Sequence, residues 1–403
     1  MGVWVNAVEL LAYLVLGLTY LGLGLGYWPG YRMNRAAIAL TGAAFLIVLG
    51  VLNFEEAWRA LEPHTLGFLF GVMVLNAHLA YAGFFQLTLN GLVHLARSPL
   101  GLLVWLTFGT GLLSALFLND TIAILFTPLV LALTRTLGLP PVPYLLALAG
   151  ATNLGSVATL TGNPQNIVVG SLSKIAYLDF AAALTPVALV GLAAQVGLLY
   201  ALYPAVRSRA PLPPLPPLRF RFNRALLFKG AWITLALLAA FVLGYPLAQA
   251  ALIAAGLLLW SRRIRSERFF MRVDWELLVM FSGLFMVTAA VKKLGILALL
   301  EPLAATAPGL AGVTVLLSNL ISNVPAVLLL YPLIPAGDTQ GWLLLAAAST
   351  LAGNLTLLGS VANLIVAEAA RREGYRLGFA EHLRFGLPLT LITLLVAYAW
   401  IYR

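Results

Sequence analysis

The sequence predicts an all-α polytopic membrane protein with about ten transmembrane helices and two re-entrant hairpins, arranged as two inverted repeats. Three observations carry that expectation. The 403 residues are 62% hydrophobic and only 9% charged, with a mean hydropathy of +0.97, whereas soluble domains carry roughly 25% charged residues. Apolar runs and polar breaks recur in the same order in each half of the chain. The basic residues gather in alternate loops.

In chain order, apolar runs mark spans at about 7–28, 35–53 and 65–84. A longer apolar region, 99–137, is interrupted at Asn119-Asp120-Thr121. Next come 142–157, a polar Gly-rich break, 163–175, and a span at 178–203. Residues 204–223 hold six prolines among basic residues. Proline removes a helix donor, so this segment reads as a semi-rigid linker. Spans follow at 224–243, 245–260 and 274–292. The region 308–335 is broken at Ser322-Asn323-Val324-Pro325, and the last runs are 340–355, 360–370 and 384–402. The first repeat is then 1–203, the linker 204–223 and the second repeat 224–403. No cleavable leader is expected, because Met1-Gly2-Val3-Trp4 lacks a basic region and the first run reads as a retained span.

The repeat is visible residue by residue. Asn119 and Pro128 fall on Asn323 and Pro332 at one spacing, and Gly162 and Asn166 fall on Gly359 and Asn363 at another. Thr159-Leu160 matches Thr356-Leu357 in that second register, and Gly71 and Gly83 match Gly283 and Gly295. With the N-terminus outside and each interrupted region folded as a hairpin, 18 of the 24 basic residues fall in inner loops and the linker is cytoplasmic. Arg59, Lys174, Lys292, Lys293 and Arg403 fall outside, and Lys229 lies within a span. The first hairpin then enters from the cytoplasm and the second from outside, so the repeats are inverted. Internal duplication around broken helices is a mark of secondary transporters.

Four polar interruptions lie in apolar sequence: Asn119-Asp120-Thr121, Thr159 to Asn166, Ser322-Asn323, and Thr356 to Asn363. Irregular backbone at membrane depth is tolerated only beside protein or a watery cavity. Gly162, Pro164 and Gly359 suit such breaks. Asn119, Thr121, Asn163, Gln165, Asn166, Ser322, Asn323, Ser360 and Asn363 supply donors and acceptors for a small hydroxylated solute. The same Asn and Gly residues would also serve as helix caps and kinks. Asp120 is the only acid between Glu62 and Asp179. A lone carboxyl in apolar surroundings is costly unless protonated, partnered or hydrated, which makes it a functional candidate. A helix-end Asp at the water interface is the other reading. Burial favours the neutral carboxyl, so the simplest coupling ion is a proton, with sodium as the alternative. Glu368 lies one turn from Arg371 and Arg372 and reads as an interface ion pair.

Other chemistries find little support. Cysteine is absent, and His64, His78, His94 and His382 are dispersed without metal-ligand spacing, so they read as helix-end or packing residues. No cofactor and no metal are expected. The net charge of +10 follows from arginines beside the membrane, not from a nucleic-acid surface. An aspartyl protease needs a second membrane carboxyl and a serine protease a Ser–His pair, so an enzyme is not expected. The interruptions hold no Lys or Arg, so a strongly anionic solute would lack a fixed countercharge.

At these motifs the chain resembles the ion-transporter superfamily of arsenite efflux permeases, sodium/proton antiporters of the NhaD type, the melanosomal P protein and divalent-anion/sodium symporters. Leu118 to Pro128, L-N-D-T-I-A-I-L-F-T-P, is similar to the A-N-D-x-x-A-x-x-x-T-P run of arsenite permeases. Ala158 to Asn166, A-T-L-T-G-N-P-Q-N, is similar to the G-N-P-Q-N segment of plant silicic-acid efflux transporters and their prokaryotic relatives. The resemblance covers nearly the whole chain. It implies scaffold helices (1–95 and 224–300) and a mobile transport part (96–203 and 301–403), a homodimer and an elevator-like motion. It implies efflux of silicic or arsenous acid driven by proton influx across a prokaryotic inner or plasma membrane. A sodium/proton antiporter or sodium-coupled anion symporter is the alternative within the superfamily. Divalent-anion symporters carry S-N-T at both tips, whereas Leu118-Asn119-Asp120 and Ser322-Asn323-Val324 lack the Thr, which favours proton coupling through Asp120.

Overall fold

Apolar runs wind into helix, and the helices stop where Gly, Pro and Asn interrupt the pattern. The computed structural model describes residues 7–213, 222–262 and 264–403. The first half contributes α1 (Ala7–Leu25), α2 (Arg35–Val48), α3 (Phe54–Arg59), α4 (Pro63–Ala82), α5 (Phe84–Leu95), α6 (Pro99–Leu116), α7 (Asn119–Thr136), α8 (Pro141–Ser156), α9 (Pro164–Ser173) and α10 (Tyr177–Leu202). The second contributes α11 (Arg224–Val242), α12 (Leu247–Leu259), α13 (Ser266–Phe270), α14 (Trp275–Lys293), α15 (Leu297–Ala304), α16 (Ala307–Ile321), α17 (Asn323–Leu330), α18 (Thr339–Ala352), α19 (Val361–Arg372) and α20 (Phe379–Ile401).

Local chemistry sets these boundaries. Pro63, Pro99, Pro141 and Pro164 open α4, α6, α8 and α9, where a missing N–H costs nothing. Asn34, Ser98, Asn163, Thr306 and Ser360 cap helix N-termini through side-chain oxygens. Gly83 at φ +84° ends α4 and lets α5 start at once in a new direction. Seven helices among the described residues are long and apolar enough to cross a membrane by length and composition: α1, α4, α6, α10, α11, α14 and α20. Their outward residues, such as Leu10, Leu235 and Leu391, are exposed hydrocarbon. The chain is an all-α multi-pass membrane protein.

The short helices α3, α5, α13 and α15 were not expected. Reading by continuous apolar runs passes over them because they are brief or carry polar residues such as Gln86 and His94. The start of the linker contains a single 3-10 turn, Pro204–Arg207. After it, Leu212 N–H donates to Arg97 O (3.0 Å), tying the linker back to the start of α6. Residues 214–221 of the linker and the N-terminal Met1 to Asn6 lie outside the described residues.

Packing sorts the helices into two groups. α1, α2, α4, α11, α12 and α14 form one, and α6 to α10 with α16 to α20 form the other. In the first group α4 crosses α12 and α14 crosses α2, a reciprocal exchange between halves. The matched glycines explain how closely these cross. A Cβ on Gly71 would lie 2.6 Å from the Ala251 carbonyl carbon, and one on Gly283 would lie 2.7 Å from that of Ala39. Small residues at crossings let backbones approach in membrane bundles. At the rim Lys293 Nζ bonds both Glu56 carboxylate oxygens at 2.8 Å. That contact and the Asn53 N–H hold the Glu56 carboxyl below the usual range.

Candidate functional site

The second packing group brings the four polar interruptions to one place. α6 ends at Leu116, and α7 starts at Asn119, whose N–H donates to Gly162 O (2.9 Å) in the first break. Gly162 is required there, since a Cβ would fall 2.5 Å from Ser156 O and 2.9 Å from Ser114 O. The second tip turns at Ser322, whose φ of +82° and ψ of 156° lie in a region that non-glycine residues rarely adopt. Asn323 opens α17, and its Nδ2, in the orientation that suits its neighbours, donates to Ser349 O (3.0 Å) and Gly359 O (3.1 Å). Each tip is thus bonded to the glycine carbonyl of a break.

Buried amides tie these parts together. Asn166 Nδ2 donates to Ser156 O and Thr159 O, and Asn363 Nδ2 to Gly353 O and Thr356 O. Asn163 Nδ2 and Gln165 Nε2 both reach Thr350 Oγ1, at 3.2 and 3.3 Å. Ser360 Oγ donates to Asn153 Oδ1 (2.9 Å), which also accepts from Asn119 Nδ2 (3.4 Å). Asn153 Nδ2 in turn donates to Asn354 Oδ1 (2.9 Å) and Asn363 Oδ1 (3.2 Å). Thr159 Oγ1 bonds Ala115 O beside the first tip. A network this connected rigidifies a buried polar core.

A cavity of about 250 Å³ opens on this core. Its buried floor is Asn119, Gln165, Asn323 and Ser360, with half-buried Asp120 and Ser322 beside them. Asn119 Oδ1 is buried with no partner among the described residues. Of the residues expected to bind solute, Asn119, Gln165, Ser322, Asn323 and Ser360 line this cavity with Asp120. Asn163, Asn166 and Asn363 stand behind it, fully buried, with amides committed to the network. Thr121 lines a separate cavity and accepts from Asn76 Nδ2 (3.3 Å). Pro164 lines both cavities, while Gly162 and Gly359 shape the breaks.

The mouth of the cavity carries charges that the reading of the interruptions left out. Arg35 at the start of α2 lines it, with Nε donating to Leu23 O (3.1 Å) at the end of α1. Asp274, the N-cap of α14, and Glu276 line it as well. A fixed cation and two further carboxyls therefore attend Asp120, and the fields of Asp274 and Arg35 reach it. In the sequence Arg35 stands out only as a loop charge, since nothing local reveals that α2 starts at the cavity. Asn153 and Thr350 were also missed. Extending the Gly162–Gly359 register puts Asn153 on Thr350, and that register was the signal that would have found both. His382 is buried near the second break, with Nε2 3.1 Å from Asn354 O. Glu368 pairs with Arg371 (3.0 Å) and Arg372 (3.3 Å). Among the described residues no three His, Asp or Glu side chains cluster to hold a metal.

Comparison with known proteins adds to this geometry. A family profile described as "Citrate transporter" (CitMHS) matches residues 26–352. The chain is similar to the silicon efflux transporter LSI3 of Oryza sativa subsp. japonica, with 32% identity covering 90% of this chain and 91% of that one. It is similar to the uncharacterized transporter Rv2684 of Mycobacterium tuberculosis (strain ATCC 25618 / H37Rv), with 30% identity covering 92% and 94%. Among solved structures, the Alcanivorax borkumensis YdaH transporter shares the fold, with a TM-score of 0.58 and 16% identity over 98% of this chain and 97% of that one.

Proposed function

The chain belongs to the citrate transporter (CitMHS) family of secondary transporters, and from that premise we propose that it exports a small, neutral, multiply hydroxylated solute of the silicic-acid or arsenous-acid kind in exchange for protons. The cavity carries this reading. It joins amides and hydroxyls from all four interruptions to Asp120, the one carboxyl those interruptions carry, within about 250 Å³. Amides and hydroxyls both donate and accept, which suits a ring of hydroxyls. One cation, Arg35, faces three carboxyls, Asp120, Asp274 and Glu276. That balance opposes an anion and tolerates a neutral molecule. The similarity to a plant silicon exporter supports the same solute class.

In this proposal Asp120 takes up the proton, and Asn119, Gln165, Ser322, Asn323 and Ser360 hold the solute. The two packing groups correspond to the scaffold and the moving part, joined through α5 and α15, and the reciprocal helix pairs support an inverted repeat. The motion is elevator-like, and the assembly is a homodimer in the cell membrane with the N-terminus outside. Arg35 lines the cavity and Arg272 the neighbouring one that shares Asp120, and both arginines belong to the basic loops, which supports an inward-open state. Arg35 also favours a second reading, sodium-coupled anion symport or sodium/proton exchange. Liposomes holding the purified protein and loaded with silicic acid or arsenite separate the two. Faster efflux under an inward proton gradient, without sodium, is expected. Efflux that ignores the proton gradient and needs sodium overturns the proposal.

A further inference from the structure

Asp120 lines two cavities. The second, about 370 Å³, lies between α4, α7 and the start of α14. Asp120, Pro164, Asp274 and Leu277 line both cavities, so these four residues form the wall between them. The two linings differ in chemistry. The solute cavity has a floor of amides and hydroxyls. The second is mostly aliphatic, from Met73 to Leu125, and a single polar seam crosses it.

The seam runs from exposed Arg272 and Asp274 past Asp120 to Thr121 and Asn76. Arg272 is held at the outer end by stacking on Tyr81, 4.2 Å from the ring centre. At the inner end Asn76 is 3% exposed, and its Nδ2 donates to Thr121 Oγ1 (3.3 Å). Its Oδ1 is buried with no partner among the described residues. Asn76 and Thr121 stand in the wall of a space that holds roughly ten waters at ~30 Å³ each. Waters need only two to four polar partners, which a seam supplies. A solute with hydroxyls on every side needs partners all round, which aliphatic walls deny.

We propose that the second cavity is a water-lined passage through which Asp120 releases the coupling proton by a path separate from the solute's. The Asp120 carboxyl gives its proton to the nearest water, leaving the carboxylate and a hydronium. The excess proton then passes from water to water toward the exposed end at Arg272. The charged groups facing Asp120 are Arg35 from α2, Asp274 and Glu276 from α14, and Arg272 from the turn before α14. His78 on α4 is turned away, 3.0 Å from Leu226 O and stacked on Phe269. The charges of α19 lie at the other end of α7, where Arg135 pairs with Glu373.

This inference rests on Asp120 as the proton carrier, and the test separates the two. Wild type, Asn76→Leu, Asn76→Ser, Ala80→Phe and Asp120→Asn are placed in liposomes with silicic acid and an internal pH dye. Solute counterflow without a gradient, gradient-driven efflux and internal acidification are read for each. Asn76→Leu and Ala80→Phe are expected to slow driven efflux and acidification about tenfold, with counterflow and half-saturation within about twofold of wild type. Asn76→Ser, which keeps a hydroxyl for water, restores the drive. Wild-type drive in both Asn76→Leu and Ala80→Phe overturns the passage. So does a matched loss of counterflow with weaker half-saturation in the two, since the cavity would then belong to the solute path. Drive retained in Asp120→Asn refutes the carrier instead. Drive lost in Asp120→Asn but kept in both Asn76→Leu and Ala80→Phe refutes the passage alone. If Ala80→Phe does not fold, the Asn76→Leu and Asn76→Ser pair decides.

Discussion

In the first break Asn166 gives Nδ2 to the carbonyls of Ser156 and Thr159, both at 2.9 Å, and in the second Asn363 gives Nδ2 to Gly353 and Thr356 at 2.7 and 3.1 Å. The spacing along the chain is the same in both halves. The tips are less alike. Asn119 bonds Gly162 through its backbone N–H, whereas Asn323 bonds Gly359 through its side chain. Asp120 follows the first Asn, and Val324 follows the second; both line the cavity. Where the halves agree, the residues hold backbone in place. Where they diverge, one half acquires a titratable group and the other an apolar wall. The frame common to both halves is therefore kept apart from the chemistry found in one half only.

The sharpest way to break this comparison is to remove the asymmetry. Asp120→Asn is expected to abolish gradient-driven efflux, by about a hundredfold or more, while counterflow persists in the same vesicles. Adding Val324→Asp to Asp120→Asn should leave the drive lost. Its return would mean that the cavity needs a carboxyl but not at the first tip. Next in size is the shared frame. Asn166→Ala and Asn363→Ala each strand two loop carbonyls, costing about 1–3 kcal/mol, and thermal unfolding in detergent should fall by similar amounts for both. A large fall for one only would show that the breaks are not equivalent. The smallest effects belong to the crossed bonds between halves. Ser360→Ala and Thr350→Val should each cost about 0.6 kcal/mol by chemical denaturation, with Ser360→Ala alone also weakening half-saturation by the solute.

The positions of the helices were legible because apolar runs and their breaks are written locally. Asn119 and Asn323 could be placed at the tips for the same reason, since polar residues inside hydrocarbon have few other places to go. The role of an amide was not legible. Asn166 and Ser360 look alike as polar residues in a break, yet one ties its own loop and the other faces the cavity. That choice depends on which carbonyls the loop leaves unmet, a tertiary fact. Arg35 and Asp274 were hidden differently. Each sits at a helix start in a loop-like context, and only the crossing of α2 with α14 carries them to Asp120. Asn153 sits inside an apolar helix and declares itself only through the partner half.

The carboxylates around the cavity place a demand on the cargo itself. An occupant that meets Asp120, Asp274 or Glu276 as a carboxylate must arrive with a hydrogen to give. Each ionisation of an oxyacid removes one such hydrogen and adds negative charge beside Asp120, Asp274 and Glu276. Alkaline conditions would then depress transport through the speciation of the solute, even in a variant whose own carboxyls no longer titrate.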